Sequence, residues 1–431
     1  MPHNAQMTPV QNRFEPLLAA IILLLATYPY LAFLPPGLRP VVPAAVMLAA
    51  LGALARSRAV LALGVPLAVA GIVSEAVSTQ SPESVIRLVG TVCELGLYLL
   101  TIVAITPLVF RTERVNRDTI SGGLIVYLLI CVGFSSVYEM LAILDPGAFA
   151  FTSEAAADPD LLYFSFVTLT TLGYGDILPA TDAAKSLVVV EAVIGILYPT
   201  MLISRLVSLW RDDDEAGPAP GLAPAPTGPR GRLEILFLSL VLLMFGYPYL
   251  SILMTAVATT AVLLASLAAV SRDRRSTITA AVLIAPALIS LALSERADAT
   301  SWQQIGRNLF SGTFLLFVTW KLGVAVFTVK SVSRDTLFGA ASLYILVGLL
   351  WAHLYELIDM TAPGAFSVAF DGSLASRFGA SFYFSFVTLT TLGYGDIVPL
   401  VGQARSAALL ESTVGIVFPA VVVARLVTLY R

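Results

Sequence analysis

A segment of fifteen residues, YFSFVTLTTLGYGDI, occurs twice in this chain, at residues 163–177 and again at 383–397. Shorter matches accompany both copies in the same order, including YPYL, RDT and PGAF, so the chain is a tandem repeat of two similar halves. Each copy of the long segment lies between apolar runs of about 20 residues, the length that crosses a bilayer as a helix. The chain must therefore fold as a membrane protein with two equivalent parts.

The composition agrees with this interpretation. Hydrophobic residues make up 58% of the 431 residues and charged residues only 12%, against about 25% charged in an ordinary soluble domain. We predict an all-α membrane protein built from two parallel repeats of six transmembrane helices. The predicted spans lie near residues 15–34, 40–56, 59–77, 86–110, 119–143, 184–208, 233–250, 253–270, 277–294, 304–329, 335–359 and 403–429. The repeated segment YFSFVTLTT is too short to cross, so we expect a re-entrant helix between the fifth and sixth spans of each half.

Loop charges predict the orientation. Arginines and lysines follow the even-numbered spans, whereas acidic residues follow the odd-numbered ones. By the positive-inside rule this pattern puts both termini and the linker in the cytoplasm and both repeated loops outside. The basic residues concerned are Arg56, Arg58, Arg111, Arg114, Arg117, Arg211, Arg230, Arg232, Arg272, Arg274, Arg275, Lys330 and Arg334.

The loop TLGYGD is unusual backbone to place beside lipid. Its carbonyls lack helical partners, and such backbone is tolerated at membrane depth only inside protein or along a water-filled path. Gly173 and Gly175, like Gly393 and Gly395, can adopt positive φ at little cost, so successive carbonyls can point the same way. A row of carbonyls aimed at one axis can replace the water shell of a cation.

The segment TTLGYGD resembles the selectivity-filter signature of potassium channels, and the preceding SFVTLT resembles the pore helix of that family. A glycine nineteen residues after each filter aspartate, Gly195 or Gly415, falls at the family's inner-helix hinge, and Pro199 or Pro419 follows one turn later. The resemblance is strong from the fifth through the sixth span of each half and weak over the first four spans. It implies a pore helix and filter between helices five and six of each repeat.

The resemblance also implies roles for individual residues. Asp176 and Asp396 would brace the filter from behind, and the hydroxyls of Tyr163 and Tyr383 are candidates to bond these aspartates. Gating would use the hinge residues Gly195, Pro199, Gly415 and Pro419. Potassium would bind through backbone carbonyls of Thr171, Leu172, Gly173, Tyr174, Gly175, Thr391, Leu392, Gly393, Tyr394 and Gly395.

The domain organisation follows from this assignment. We expect an N-terminal cytoplasmic tail (1–14) and a charged, Pro/Ala/Gly-rich cytoplasmic linker (211–232). Each half then has a peripheral four-helix bundle, at 15–110 and 233–330, and a pore domain, at 111–210 and 331–431. Two pore loops supply half of a four-fold ring, so we predict a homodimer with one pseudo-four-fold pore.

A voltage sensor is not expected. Such a sensor needs arginines at every third residue of the fourth span. The fourth span of the first half holds only Arg87, and its counterpart has the scattered basic residues Arg307, Lys321 and Lys330.

Four acidic residues near the pore have open roles. Glu191 and Glu411 precede the hinge glycines by four residues, and they either bond the base of the pore helix or face the cavity. Glu139 and Glu356 end the fifth span, and they are either solvated or bond backbone behind the filter.

The sequence points to a potassium-selective channel that conducts passively, with no cofactor beyond permeant K⁺ and with lipid as its other partner. Enzyme motifs such as H-E-x-x-H are absent, and the net charge of −3 gives no sign of nucleic-acid binding. A weakly selective cation channel, a potassium-uptake transporter and a regulatory protein with vestigial pore loops are the alternatives. Short loops and compact spans suggest a multi-pass protein of a prokaryotic plasma (inner) membrane.

Overall fold

The computed structural model describes residues 14–27, 41–55, 58–78, 84–111, 117–151, 161–211, 231–247, 252–271, 274–294, 301–328, 334–368 and 374–429. Most of the predicted N-terminal tail and linker lies outside these ranges, as do several of the basic loop residues. Within the described residues the chain forms fourteen α-helices and two short strands: α1 (Glu15–Thr27), α2 (Val41–Leu54), α3 (Arg58–Ser78), α4 (Ser84–Arg111), α5 (Arg117–Leu144), β1 (Phe149–Phe151), α6 (Leu161–Leu169), β2 (Ile177–Pro179), α7 (Asp182–Arg211), α8 (Arg232–Gly246), α9 (Ile252–Val270), α10 (Arg274–Ser294), α11 (Ser301–Thr328), α12 (Arg334–Thr361), α13 (Leu374–Leu389) and α14 (Gly402–Leu429).

Eight of these helices are long and apolar enough to cross a membrane: α3, α4, α5, α7, α10, α11, α12 and α14. Helices α1, α2 and α8, with 13, 14 and 15 residues, are shorter than the ~20 residues that a crossing needs. The apolar stretch Val257–Val270 of α9 is short as well. These four helices coincide with four predicted spans, so a helix stands at every predicted position although only eight meet the length for a full crossing.

The chain divides into two compact units. The first comprises residues 1–146, 160–165 and 205–216, and the second comprises 147–159, 166–204 and 217–431. In the first unit α4 packs against α3 and α5, and α1 packs against α2 and α5. Its interior includes Tyr138, whose ring meets that of Phe164 at 5.1 Å between centroids.

The second unit contains both filter segments. Helix α12 packs against α8, α11, α13 and α14, and α13 is buried among them. The core of this unit is aromatic: Phe382, Tyr383 and Phe386 of α13 are fully buried. Residues of α7 in this unit contact α8, since the Ser186 hydroxyl donates to the Met244 carbonyl at 2.5 Å.

A short antiparallel pairing follows each filter segment. In the first half β1 pairs with β2, with Phe149 opposite Pro179 and Phe151 opposite Ile177. In the second half the pairing shrinks to a single bridge between Phe366 and Pro399. In each half, the segment that follows the filter is therefore paired with the segment that precedes the pore helix.

Candidate functional site

The two TLGYG segments have the same alternating backbone. Thr171, Gly173 and Gly175 have φ of +56°, +56° and +73°, and Thr391, Gly393 and Gly395 have +58°, +59° and +78°. The leucine and tyrosine between them keep negative φ. Positive φ was expected at the glycines but not at the threonines, where a β-branched side chain makes this conformation costly. Strained backbone at equivalent positions of both copies indicates that the two segments have the same function.

Hydrogen bonds to the pore helices orient the filter carbonyls. The amides of Leu172 and Gly173 both donate to the Val167 carbonyl, at 2.8 and 3.3 Å, and the amides of Leu392 and Gly393 both donate to the Val387 carbonyl, at 2.9 and 3.2 Å. In a trans peptide the N–H and C=O point in opposite directions. The carbonyls of Thr171 and Leu172, and of their counterparts, therefore point away from the helix that precedes them.

The two filter segments lie side by side and run in the same direction. The Cα of Gly173 faces the Leu392 carbonyl, and the Cα of Gly175 faces the Tyr394 carbonyl. A Cβ atom at either glycine would overlap the facing oxygen. Residue numbers rise together in this register, so the segments are parallel neighbours, and glycine is needed for their close approach.

One side-chain contact links the two copies. The hydroxyls of Thr168, at the end of α6, and Tyr394 lie 2.5 Å apart and are buried. Tyr394 is 5% exposed and Leu392 is 2% exposed, whereas their counterparts Tyr174 and Leu172 are 66% and 52% exposed. Identical sequences therefore have opposite surroundings within one chain.

Aspartate and tyrosine meet behind the second filter. The buried hydroxyl of Tyr383 lies beside the Asp396 carboxylate, although the alignment falls short of a regular hydrogen bond. Burial, followed by the charge of Asp396, raises the pKa of Tyr383 above the ordinary tyrosine value. The ammonium of Lys185, on α7, lies 5.4 Å from the centre of the Tyr383 ring. In the first half Tyr163 lies on α6, and Asp176 directly precedes β2.

The predicted hinge glycines are required by packing. A Cβ at Gly195 would overlap the Leu169 carbonyl, and one at Gly415 would overlap the Leu389 carbonyl. Each inner helix thus passes directly against the last turn of a pore helix. Pro199 and Pro419 lie inside α7 and α14 one turn later, and both helices continue past them.

Glu139 stays partly solvated, one of the two roles expected for it, whereas Glu356 is buried in an ion pair and follows neither role. Arg87 of α4 pairs with Glu139 at 2.9 Å, half-exposed, and Arg307 of α11 pairs with Glu356 in a buried setting. The fourth span of each half is thereby joined to the fifth. The similar spacing of the two arginine–glutamate pairs, 52 and 49 residues, was the signal that could have indicated this.

Sequence reasoning also missed Thr168 and the role of the PGAF repeats. PGAF leads into the strand pairing that follows the filter, and its alanine carbonyls accept from Ala180 and Leu400 at 2.8 and 2.7 Å. The described residues contain no group of three His, Cys, Asp or Glu side chains able to hold a metal ion.

Comparison with known proteins identifies the class. The sequence profile of a family described as "Ion channel" matches residues 123–211 and 341–431, one match in each half. Over 108 residues the chain is 35% identical to Protein LctB of Geobacillus stearothermophilus, a match that covers 80% of that protein and 24% of this chain. Over 94 residues it is 42% identical to two pore potassium channel c of Oryza sativa subsp. japonica, covering 21% of this chain. Over 87 residues it is 34% identical to a voltage-gated potassium channel of Aeropyrum pernix, covering 18% of this chain.

The chain belongs to the ion channel family, with two pore regions in one polypeptide, and it is not an enzyme. It is a multi-pass membrane protein, and the part of the chain that the structure describes has eight candidate spans. It spans only 19% of the length of the rice channel and 30% of the archaeal one. No solved structure matches the chain significantly.

Proposed function

We propose that this protein is a potassium-selective channel that conducts K⁺ passively along its electrochemical gradient. One observation carries the proposal: the two filter segments are parallel neighbours with the same alternating φ. Side-by-side strands of this kind can present successive rings of carbonyl oxygens to one dehydrated cation. The residues from Thr171 to Gly175 and from Thr391 to Gly395 would supply those oxygens, with K⁺ as the only bound ion.

We further propose that a homodimer completes the pore. One chain supplies two neighbouring filter segments, which make half of a four-fold ring. A two-fold axis generates the other half. In the second filter, the first filter of the same chain already covers Tyr394 and Leu392. In the first filter, the side chains of Tyr174 and Leu172 remain exposed. In the dimer Tyr174 would meet Thr388 of the partner subunit, as Tyr394 meets Thr168.

The second half has an open recess where this contact would form. Its volume is about 530 Å³, and its lining includes Thr388, Thr391, Gly393, Leu409 and Ser412. No atom lies within 4 Å of a Cβ built at Gly393 or Gly395. Helix α14 is also more exposed than α7: 22% of its most apolar stretch of 18 residues is buried, against 50% for α7. The open face of α14 is therefore the surface that the partner's first pore region would cover.

Asp396 and Tyr383 would hold the filter from behind. A tyrosine hydroxyl is protonated at neutral pH, so the Tyr383 hydroxyl can donate to the aspartate when the two groups align. Asp176 and Tyr163 would do the same in the first half. We expect Tyr383→Phe to shorten the open times of single channels, and unchanged open times together with unchanged selectivity would reject this role.

Gating would be only weakly voltage-dependent. In the described part of the fourth spans Arg87 and Arg307 are both engaged by glutamates of the fifth spans, so neither is poised to move through the membrane field. Bending at Gly195 and Pro199, and at Gly415 and Pro419, would open the inner end of the pore.

The remaining topology is part of the same proposal. The shorter helices α1, α2, α8 and α9 would complete six crossings in each half, and the bundles at 15–110 and 233–330 would surround the pore. Both termini and the linker would lie in the cytoplasm of a prokaryotic cell.

Reconstitution in liposomes tests the function. We expect purified protein to carry K⁺ flux that barium blocks, with reversal potentials in mixed gradients that follow K⁺ rather than Na⁺. Reversal potentials that follow both ions would indicate a weakly selective channel. Turnover below about 10⁵ ions per second would indicate a carrier, and no flux under any condition would contradict conduction altogether.

A further inference from the structure

Glu411 of α14 is completely buried, and it contacts two other helices of the pore region. Its Oε2 accepts from the Tyr355 hydroxyl of α12 at 2.5 Å, and its Oε1 lies 2.6 Å from the Ser385 hydroxyl of α13. One turn further along α14, Gly415 passes against the last carbonyl of the same pore helix, that of Leu389. Glu411 thus belongs to the seam, which is the line of contact between the inner helix α14 and the pore helix α13.

The hydrogen bonds around Glu411 indicate whether its carboxyl group carries a proton. The Ser385 hydroxyl lies 2.7 Å from the Gly348 carbonyl as well as 2.6 Å from Glu411 Oε1. Both distances are those of complete O–H···O bonds, but a serine hydroxyl has one hydrogen. A carbonyl can only accept, so Ser385 donates to Gly348. The remaining bond requires a hydrogen on Glu411.

We propose that Glu411 is a neutral carboxylic acid that donates to Ser385 and accepts from Tyr355, and so acts as a positioning residue for the filter. In this arrangement each of the three side chains donates one proton, and none of the three bonds lacks a hydrogen. Glu411 joins the inner helix to α12 and to the pore helix, whose last turn binds the filter amides of Leu392 and Gly393 through Val387. The path from Glu411 to the filter therefore runs through three residues of one helix, from Ser385 to Val387.

The surroundings agree with a neutral group. The titratable residues that face Glu411 are Tyr355 and Tyr344, both from α12. No basic side chain of the described residues acts on it. A carboxylate buried without a cation would be costly, and its ionisation would place two acceptors, Glu411 and Gly348, around the single proton of Ser385.

The first half repeats the arrangement in part. The Ser165 hydroxyl, equivalent to Ser385, donates to the Cys131 carbonyl at 2.8 Å, and Glu191, equivalent to Glu411, is also completely buried.

Infrared spectroscopy tests the protonation without any need for conduction. At neutral pH we expect the spectrum of the full-length protein minus that of E411Q to contain the C=O stretch of a protonated carboxylic acid, shifted in D₂O. E191Q is the matched control, since its difference spectrum contains the bands that change when the equivalent glutamate of the first half is replaced. A difference spectrum with only carboxylate bands would overturn the proposal.

The positioning role rests on the proposed function, and flux in liposomes tests it separately. Gln can donate to Ser385 and accept from Tyr355, so E411Q should retain most of the K⁺ flux, whereas E411A should lose about tenfold, equivalent to about 1.4 kcal/mol. Raising the pH should reduce the flux of the wild type before that of E411Q. Equal flux in E411A and wild type, or identical pH profiles, would contradict the role of Glu411. If the wild type conducts no K⁺, the proposed function fails while the infrared result still decides the protonation.

Discussion

The hydroxyl of Tyr394 meets the hydroxyl of Thr168 at 2.5 Å, although 226 positions separate them in the sequence. The same residue types occur at Tyr174 and Thr388, but Tyr174 is exposed and Thr388 lines an open recess. One chain thus contains a complete contact and the two separated halves of a second one. In the proposed homodimer a symmetric partner would bring those halves together.

This relationship predicts an energetic coupling between residues that do not touch within a chain. In a double-mutant cycle on the dimerisation constant, Thr388→Val and Tyr174→Phe should couple by about 2 kcal/mol, because the two-fold axis forms two such buried hydrogen bonds of about 1 kcal/mol each. Subunit counting in single liposomes, or energy transfer between labelled chains, measures the constant.

The matched control for the cycle is Thr168→Val with Tyr174→Phe. These two residues make no contact in the proposed arrangement, so their effects should add within about 0.5 kcal/mol. Additive behaviour of Thr388→Val and Tyr174→Phe would argue against the dimer.

Gly393→Ala tests the positive φ of the filter. Within one chain the added methyl group meets no atom within 4 Å, but φ is +59°, a left-handed conformation that costs an L-residue about 1–2 kcal/mol, and in the proposed dimer the methyl group would also crowd the partner subunit's filter segment. We expect reduced selectivity for K⁺ over Na⁺, seen as a shift of the bi-ionic reversal potential. Gly364→Ala, with φ of +81° in the outer loop, and Gly402→Ala, with ordinary φ, have equally open surroundings, and both should leave the potential unchanged.

Gly415→Ala tests the seam between inner helix and pore helix. The added methyl group would overlap the Leu389 carbonyl, and overpacking of this kind costs about 1–3 kcal/mol. Thermal unfolding in detergent should therefore begin at a lower temperature. Gly52→Ala, in α2 with no atom within 4 Å, should be neutral or stabilising by up to about 1 kcal/mol. Similar unfolding temperatures for the two variants would contradict the close packing at Gly415.

The two arginine–glutamate pairs should differ in energy because they differ in burial. Glu356→Ala leaves Arg307 as an uncompensated buried charge, which should cost about 3–5 kcal/mol. Glu139→Ala removes a pair whose side chains are 50% and 32% exposed, and it should cost about 1 kcal/mol or less. Denaturant unfolding of both variants provides the comparison, and equal losses would show that Arg307 is reached by water.

The sequence by itself predicted the elements. A helix begins within a few residues of every predicted span, and the glycines of both filters adopt the expected positive φ. These features are local: the apolar length needed to cross a bilayer and the conformational freedom of glycine can be read from consecutive residues. Positive φ at Thr171 and Thr391 could not be read this way, because it depends on amides drawn toward the pore helix.

The tertiary structure decided which copy contacts which. YFSFVTLTTLGYGDI is identical in both halves, so no property of those fifteen residues distinguishes the buried Tyr394 from the exposed Tyr174. Likewise, Glu411 had two open roles until the helices placed it against Ser385 and Tyr355. Contacts between segments about 220 residues apart depend on how whole helices pack, and that packing determines the environment of each copy.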